Sequence, residues 1–590
     1  MISLTAEQRA PVIEDGNIYL SACPGSGKTR VITAKLLLLA EGQVGSPRSI
    51  ACITYTNAAV DEIEARLKQM GSRSIIDCTE VSTIHSFCLQ YILRPYRWLA
   101  KDVPARFRIL TRESPDFERL VTAVEDEIGR TIGRTTFDDY ASISMGLDGE
   151  PYGPGIERGI VTAPLAKRLW QFMLAGGFID FSMILYYSYQ ILQQHPFVAT
   201  GVASKFKWFL VDEFQDTTAV QIEIFKAIFT HKQSGFFLVG DENQSIYGFA
   251  GARPALAQDF ATHIEASLDY ALSGNFRSGP RIVDVAETLI ARTPRMTSVG
   301  KAAAFTEAPI YVHVNDPKVA ITDYFLPWVE AQNIPLGKCA ILAPWWTHLV
   351  PIARHLRALG VPVFGPGARP YQRKRTFAAM AEQLGACVEQ EHLLGLPGVE
   401  KAIFGILQEV LGITRFDVFS YEGRRTALSL VYEAKKIADW KPGGLAWLRA
   451  CSAESAEILA RDGWLPEADK WLLRQSVNEM EADMVRRNVD VANLEIADLG
   501  LFANPDRAIK LISLHNSKGR EFDAAALVCM NEGSVPHFSA RTQSEFDEAR
   551  RLMYVGISRA KKLLLIASHQ MDYRDRPSRF IAECGVARTN

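Results

Sequence analysis

The stretch SACPGSGKT (residues 21–29) lies between an apolar run, NIYLSA (17–22), and a helix-like run, RVITAKLLLLA (30–40). Strand, glycine-rich loop and helix, in that order, form the context in which G-x-x-x-x-G-K-[ST] cradles phosphate. Gly25 and Gly27 let backbone N–H groups turn toward phosphate oxygens. Lys28 is long enough to reach the β- and γ-phosphates, and Thr29 offers a hydroxyl to Mg2+. Ala22 stands where the pattern has its first glycine. That glycine chiefly eases the turn, so alanine is expected to be tolerated if its φ stays negative. The loop implies a nucleotide but does not name the reaction.

The rest of the chain narrows the choice. Its 590 residues are too many for one core and suggest roughly four domains of about 150 residues. Hydrophobic residues make up 48%, enough to bury sizeable cores. Lys plus Arg is 65 against 67 for Asp plus Glu, so any nucleic-acid site must be a local groove, not a globally basic surface. The polar start, MISLTAEQRA, lacks the apolar centre of a signal peptide, and no uncharged apolar run approaches about 18 residues. Nine scattered cysteines without a CxxC pair argue against a disulfide scaffold, a zinc finger or an iron–sulfur cluster. Together these point to a cytoplasmic protein without a membrane partner.

Short apolar runs alternate with helical periodicity near 17–90 and 205–275. NIYLSAC, SIACITY, KWFLVDE and GFFLVGD read as buried strands of a parallel sheet covered by helices. The pattern recurs around KCAILAP (338–344), AIKLISL (508–514), AALVCM (525–530) and KLLLIAS (562–568). Stretches 106–178 and 385–504 show helical spacing with few strand signals. The fold class expected is therefore α/β, with two P-loop-type parallel-sheet domains, each interrupted by a mainly helical insertion.

Further motifs carry chemistry. WFLVDEFQDTTAVQ (208–221) ends a strand in Asp212 and Glu213. Adjacent carboxylates there can divide the work, one on Mg2+ and one on the attacking water; without the phosphate loop, a solvated acidic turn would be the simpler reading. LVGDENQSIYGFAGA (238–252) places Gln244 at another strand end, where it can sense a γ-phosphate. Tyr247 and Phe249 follow as candidate stacking residues for bases, with core packing as the plain alternative. LSGNFRSG carries Arg277, and EARRLMYVGISRAKK carries Arg559. An arginine fork suits a transferred phosphoryl group, although a lone arginine is usually a surface ion pair.

In order along the chain, LTAEQ, SACPGSGKTR, ACITYTNAAVDEI, VSTIHSF, VDEFQD, VGDENQSIYGF, GNFRS, LHNSKGREFD and YVGISRAKK resemble the UvrD/Rep-like branch of superfamily 1 DNA helicases. In that branch AxxGxGKT is the usual phosphate loop, which accounts for Ala22. The resemblance implies two RecA-like domains with insertions: 1A at 1–105 and 179–275, 1B at 106–178, 2A at 276–384 and 505–590, and 2B at 385–504. It also implies an ATP site holding Ala22, Cys23, Gly25, Ser26, Gly27, Lys28 and Thr29. Gln8 would read the adenine edge, Phe276 would stack on the ring, Arg30 would line the pocket and Glu521 would lie near the ribose. Glu213 would orient water, with Asp212 and Thr29 on Mg2+. Gln244, Arg277 and Arg559 would contact the γ-phosphate, both arginines standing across a cleft from Lys28. Single-stranded DNA would meet Tyr55, Thr56, Asn57, His85, Tyr247, Phe249 and His515. The activity implied is ATP-driven 3′-to-5′ translocation on single strands and unwinding of tailed duplexes.

Three departures qualify this. Ala250 and Ala58 stand where the family tends to be basic, and Arg520 replaces a leucine of KGLEF. The 2B-like stretch is also short. Ala250, Ala58 and the short insertion favour a second reading, a DNA-stimulated ATPase that loads or regulates a separate nuclease without robust unwinding. Compact family members serve in that way in anti-phage systems of the Gabija type, and the resemblance leaves repair and defence both open. A P-loop kinase or GTPase offers no account of LHNSKGREFD and YVGISRAKK. The basic cluster QRKR (372–375) reads as either a phosphate contact or a solvated face.

Overall fold

The computed structural model describes residues 3–129, 137–230, 232–389, 395–412 and 415–589. The chain packs as two compact units, Met1–Phe305 with Arg541–Tyr554, and Thr306–Ala540 with Val555–Asn590.

The first unit is built on six strands: β1 (Ile18–Ala22), β2 (Ser49–Thr54), β3 (Thr79–Thr83), β4 (Phe206–Val211), β5 (Gly235–Gly240) and β6 (Ala271–Leu272). They lie in the order β6-β1-β5-β4-β2-β3, and every pairing is parallel. Both faces are apolar, as a helix-covered parallel sheet requires. Ile18, Leu20, Ile50, Cys52, Leu210, Phe237 and Val239 pack on one side. Tyr19, Ala51, Ile53, Phe209, Val211, Phe236 and Leu238 pack on the other, in a core shared with the helices of 115–205.

The second unit repeats the plan with β7 (Ile310–Val314), β8 (Cys339–Ala343), β9 (Val363–Phe364), β10 (Ile509–Ser513), β11 (Phe522–Leu527) and β12 (Ala560–His569). Their order is β7-β12-β11-β8-β10-β9, again parallel throughout. The strand expected over 525–530 runs instead over Phe522–Leu527. Cys529 has φ +59, which takes the chain out of the sheet just beyond that strand.

Both stretches read as helical insertions are mainly helical. The first holds helices Pro115–Glu127 and Ala163–Ala175 with a few two-residue strands. The second is a bundle around Trp447, whose indole Nε1 donates to the Ala434 carbonyl at 2.9 Å. Its core already includes Tyr371 and Phe377 and helix Ala378–Glu389, ahead of residue 385. That accounts for one end of QRKR: Arg375 grips Asp483 with Nε at 2.8 Å and Nη2 at 3.0 Å, and its Nη1 reaches Glu479 at 2.8 Å, while Arg373 and Lys374 are exposed. The segment is fastened to helix Trp471–Arg486. Among the described residues no helix is long and apolar enough to cross a membrane.

The Arg375 hydrogen bonds hold the Asp483 carboxyl well below the usual carboxylate range. A depressed carboxylate stabilises the fold above its unfolded pKa of about 4 and loses that contribution as pH falls through the folded value. The urea midpoint of the second unit should therefore drop between about pH 4 and pH 2, more steeply in the wild type than in Asp483→Asn. Parallel curves would refute the pairing.

Candidate active site and nucleic-acid interface

Groups at the carboxyl ends of parallel strands face a common crevice, where open α/β sheets bind ligands. The phosphate loop leaves β1 there and Asp212 leaves the neighbouring-but-one strand β4. Asp241 leaves β5 between them. Ala22 is the last residue of β1, pairs with Leu272 and is not among the positive-φ residues. The expectation for that position is met: the turn begins one residue later, and Gly25 (φ +68) and Gly27 (φ +85) take its left-handed conformations.

Gly27 caps helix Lys28–Glu41, so the loop ends on the positive pole of a helix. Lys28 Nζ lies 3.8 Å from Glu213 Oε1, and neither Lys28 Nζ nor Ser26 Oγ, both buried, finds a hydrogen-bond partner among the described residues. A buried ammonium without an acceptor is costly. Donors pointing into a glycine-rich loop at a helix N-terminus fit a phosphate.

Glu213 has φ +50, rare for a glutamate and common at functional sites. Its N–H donates to Asp212 Oδ1 at 2.9 Å, and its Oε2 accepts from Gln215 Nε2 at 2.6 Å. Burial first, then the charge of Glu213, raises the Asp212 carboxyl, while Lys28 opposes this. Gln244 is buried and its Nε2 donates to Asp241 Oδ2 at 2.6 Å. Thr29 sits one residue after Lys28 on the first turn, so the hard oxygens of Thr29 and Asp212 suit a magnesium that arrives with phosphate ligands.

A cavity of about 420 Å³ opens beside the loop, lined by Thr5, Gln8, Ser26, Leu272, Phe276 and Val299 among others. Gln8 is tied at both ends: its Nε2 donates to the Ser26 carbonyl at 2.8 Å, and its Oε1 accepts the Thr5 N–H at 3.2 Å. Phe276 is half-exposed at the cavity, with its N–H on the Gly25 carbonyl at 2.9 Å. Arg30 is exposed on the first helical turn and does not line this cavity.

Arg277 differs from its expected place across a cleft. It belongs to the same unit as Lys28 and packs against the loop. A Cβ on Gly25 would stand 2.6 Å from Arg277 Cβ and 2.8 Å from Asn275 Oδ1. The reason is local: Asn275 Oδ1 accepts the N–H groups of Arg277 and Ser278, both at 2.8 Å, and folds GNFRS onto the loop. Arg559 belongs to the second unit and is buried. Its Nε donates to the Val555 carbonyl at 2.9 Å, and Nη1 and Nη2 donate to the Arg520 carbonyl and Ser558 Oγ. Glu521 pairs with Lys561 at 2.6 Å.

The candidate DNA residues of the first unit form an aromatic row. Tyr55 stacks on Tyr247 (5.3 Å, 20°), and Tyr247 meets Phe249 edge-on at 6.0 Å. Tyr55 and Phe249 remain 41% and 43% exposed, so their faces are open to a base. Thr56 caps helix Asn57–Met70, whose exposed N-terminus adds backbone donors, with Ala58 exposed beside them. His85 meets Phe181 edge-on at 5.3 Å, and burial lowers its imidazole to about 4, so it is neutral at physiological pH. In the second unit His515 follows β10 and is lowered to about 4 for the same reason.

Sequence reasoning missed several residues of the site. Gln215 lies inside VDEFQD, directly between the strand-end acids and Asp216, so its position alone was a signal. Phe181 follows the helix-capping Asp180, a local signal. Arg292 pairs with Asp241 across 51 residues, and no local pattern marks it. Glu548 and Arg551 clamp the Tyr247 loop: Glu548 Oε1 accepts the Gly248 N–H at 3.1 Å, and Arg551 Nε donates to the Ser245 carbonyl at 2.7 Å.

Comparison with known proteins gives the family. The model of the UvrD/REP helicase N-terminal domain matches residues 4–145 and 156–265. That of the UvrD-like helicase C-terminal domain matches 475–571, and the two together cover more than half of the chain. The chain belongs to the UvrD/Rep helicase family. Among its relatives, the ATP-dependent DNA helicases Rep of Salmonella typhimurium and Escherichia coli are each 26% identical, over 98% of this chain and 93% of theirs. DNA helicase II of Haemophilus influenzae is 25% identical over 96% of this chain and 85% of its own. The helicase assignment and the paired parallel-sheet fold therefore rest on both sequence and structure.

The loop geometry makes a paired prediction. Gly25→Ala must push GNFRS away and strain φ, so fluorescent-nucleotide affinity should fall roughly tenfold. Ala22→Gly should bind nucleotide within about twofold of wild type and lose only about 0.5–1 kcal/mol of stability. Equal effects of the two substitutions would contradict the site.

Proposed function

We propose that this helicase is an ATP-driven, 3′-to-5′ single-strand DNA translocase that unwinds tailed duplexes. The observation that carries the reading is the buried, acceptor-less Lys28 ammonium beside Glu213, with the exposed Tyr55–Tyr247–Phe249 row at the carboxyl ends of the same sheet. One sheet thus presents a phosphate end and a base-stacking end.

In this reading the adenine enters the cavity between Gln8 and Phe276, and the triphosphate runs along the loop to Lys28. Thr29 and Asp212 would hold a Mg2+ arriving with the nucleotide, which would supply neutralisation of phosphate charge. Glu213, held by Gln215, orients the attacking water and takes its proton. Gln244 senses the γ-phosphate from Asp241. Arg277 steadies the loop and the phosphates from the same unit. Arg559, on the second unit, is assigned to the charge that develops on the transferred phosphoryl group, since its planar guanidinium stays charged and donates in a fork. Glu521, already engaged by Lys561, is assigned to the ribose. Bases stack on Tyr55, Tyr247 and Phe249, with Thr56, Asn57, His85 and Phe181 beside them and His515 on the second unit, and the clamp from Glu548 and Arg551 fixes that loop. The domain limits expected from the sequence are kept as a proposal, except that 276–305 and 541–554 pack with the first unit.

A second reading keeps the ATPase and drops robust unwinding, with the chain loading or regulating a partner nuclease. The exposed Ala58 at the helix N-terminus beside Tyr55 favours it, since a cation there would grip the strand.

ATPase and strand displacement measured together on 3′-tailed, 5′-tailed and blunt duplexes separate these readings. The translocase reading expects stimulation by single strands, displacement only from the 3′ tail, and loss of both in Lys28→Ala. Stimulated ATPase without displacement supports the nuclease-loading reading, and displacement only from the 5′ tail contradicts the polarity. Tyr247→Ala should weaken single-strand binding by roughly 5- to 150-fold, from a stacking loss of about 1–3 kcal/mol. Wild-type single-strand affinity in that variant would contradict the stacking assignment.

A further inference from the structure

Arg292 has no part in the reading above, yet it ends a buried chain of contacts that reaches Gln244, assigned to the γ-phosphate, and Glu213, assigned to the attacking water. Its Nη1 lies 2.5 Å from Asp241 Oδ1, and the two side chains are 9% and 1% exposed. The other oxygen of the carboxylate, Oδ2, accepts from Gln244 Nε2 at 2.6 Å. The Asp241 N–H donates to Gln215 Oε1 at 2.8 Å, and Gln215 Nε2 holds Glu213 Oε2 at 2.6 Å. Asp241 is therefore a junction: one oxygen faces Arg292, the other fixes the Gln244 amide, and its backbone fixes the residue that holds Glu213. Arg292 is itself pinned. It lies just beyond helix Pro280–Leu289, where the Glu287 carboxylate accepts the N–H groups of Arg292 at 3.2 Å and Met296 at 3.0 Å.

We propose that Arg292 is a positioning residue for ATP hydrolysis, orienting Gln244 and Glu213 through Asp241. The proposal rests on the assignment of those two residues to the γ-phosphate end. The physical reason is that a buried carboxylate stripped of its partner charge is strongly disfavoured. It would turn toward water or another donor, and that change would release the Gln244 amide and shift the Gln215 bridge. Burial disfavours the Arg292 guanidinium as well, but Asp241 holds it protonated. Displacing a reacting group by about 1 Å can cost about a hundredfold in rate. Binding of the base and of the α- and β-phosphates is assigned to Gln8, Phe276 and the loop; the charge of Arg292 is felt in the loop at Cys23, while its hydrogen bonds run to Asp241 and Glu287.

The test uses the full chain with Arg292→Gln, Arg292→Lys, Asp241→Asn, Gln244→Ala and the double variant Arg292→Gln/Gln244→Ala. It measures DNA-stimulated kcat, affinity for a non-hydrolysable ATP analogue and thermal midpoint. Arg292→Gln and Asp241→Asn should lower kcat roughly a hundredfold with analogue affinity within about threefold of wild type. Arg292→Lys, which keeps the charge but not the fork, should recover part of the loss, and it carries the test if the glutamine variant does not fold. The double variant should be no slower than the slower single one, because residues acting in series are not additive. Unchanged kcat in Arg292→Lys and Arg292→Gln with only a lower thermal midpoint would overturn the proposal, as would losses that multiply in the double variant. Wild-type turnover in Gln244→Ala would overturn the sensor assignment and, with it, this route for Arg292.

Discussion

A buried ammonium that donates no hydrogen bond is the constraint around which the first unit is arranged. Lys28 Nζ pairs with Glu213 at 3.8 Å, beyond hydrogen-bond reach, and its charge is also felt by Asp212. Such a group is expensive in isolation and becomes favourable when a phosphate brings both charge and acceptors. The surrounding structure supports this. Gly25 and Gly27 provide the left-handed turn, the helix from Lys28 points its positive end inward, and Gln8 and GNFRS brace the loop from either side. Stability is held back at this point and recovered when nucleotide binds.

The parallel sheet explains why so many functions meet. All six strands of the main sheet of the first unit run the same way, so the loop, Asp212, Asp241, Tyr55 and His85 all emerge from carboxyl ends. Charged groups follow β1, β4 and β5, and the ring residues Tyr55 and His85 follow β2 and β3. Tyr247 joins the two sets: it lies three residues after Gln244 and stacks on Tyr55. A shift of that short segment is felt at both ends. Glu548 and Arg551 hold it in place, which makes helix Gln543–Ile557 part of the apparatus.

Most of the strands are legible in the sequence because β-strands buried on both faces are near-continuous apolar runs, and SIACIT and GFFLVG have few other readings. The short strands β6 and β9 carry two residues each and leave no pattern. The nucleotide residues are legible because phosphate binding forces glycines, a lysine and carboxylates into fixed spacing. Residues that act through others are not. Arg292 meets Asp241 only because a turn held by Glu287 returns it to the sheet edge, and no periodicity encodes that. Arg277 lies on the Lys28 side, contrary to expectation, because a motif fixes a residue's chemistry, whereas its neighbours, here Asn275 and Gly25, fix its place. The QRKR cluster shows the converse, a basic run whose Arg375 is spent on Asp483 within the fold.

The central claim is that Glu213, in its left-handed conformation beside Lys28, drives hydrolysis at this loop. Glu213→Gln keeps shape and hydrogen bonding while removing the base. Turnover of ATP by this variant, measured alongside its nucleotide affinity, tests the claim most directly. The account predicts affinity equal to or above wild type, with turnover reduced by about 10²- to 10⁴-fold. Wild-type turnover in Glu213→Gln would contradict it.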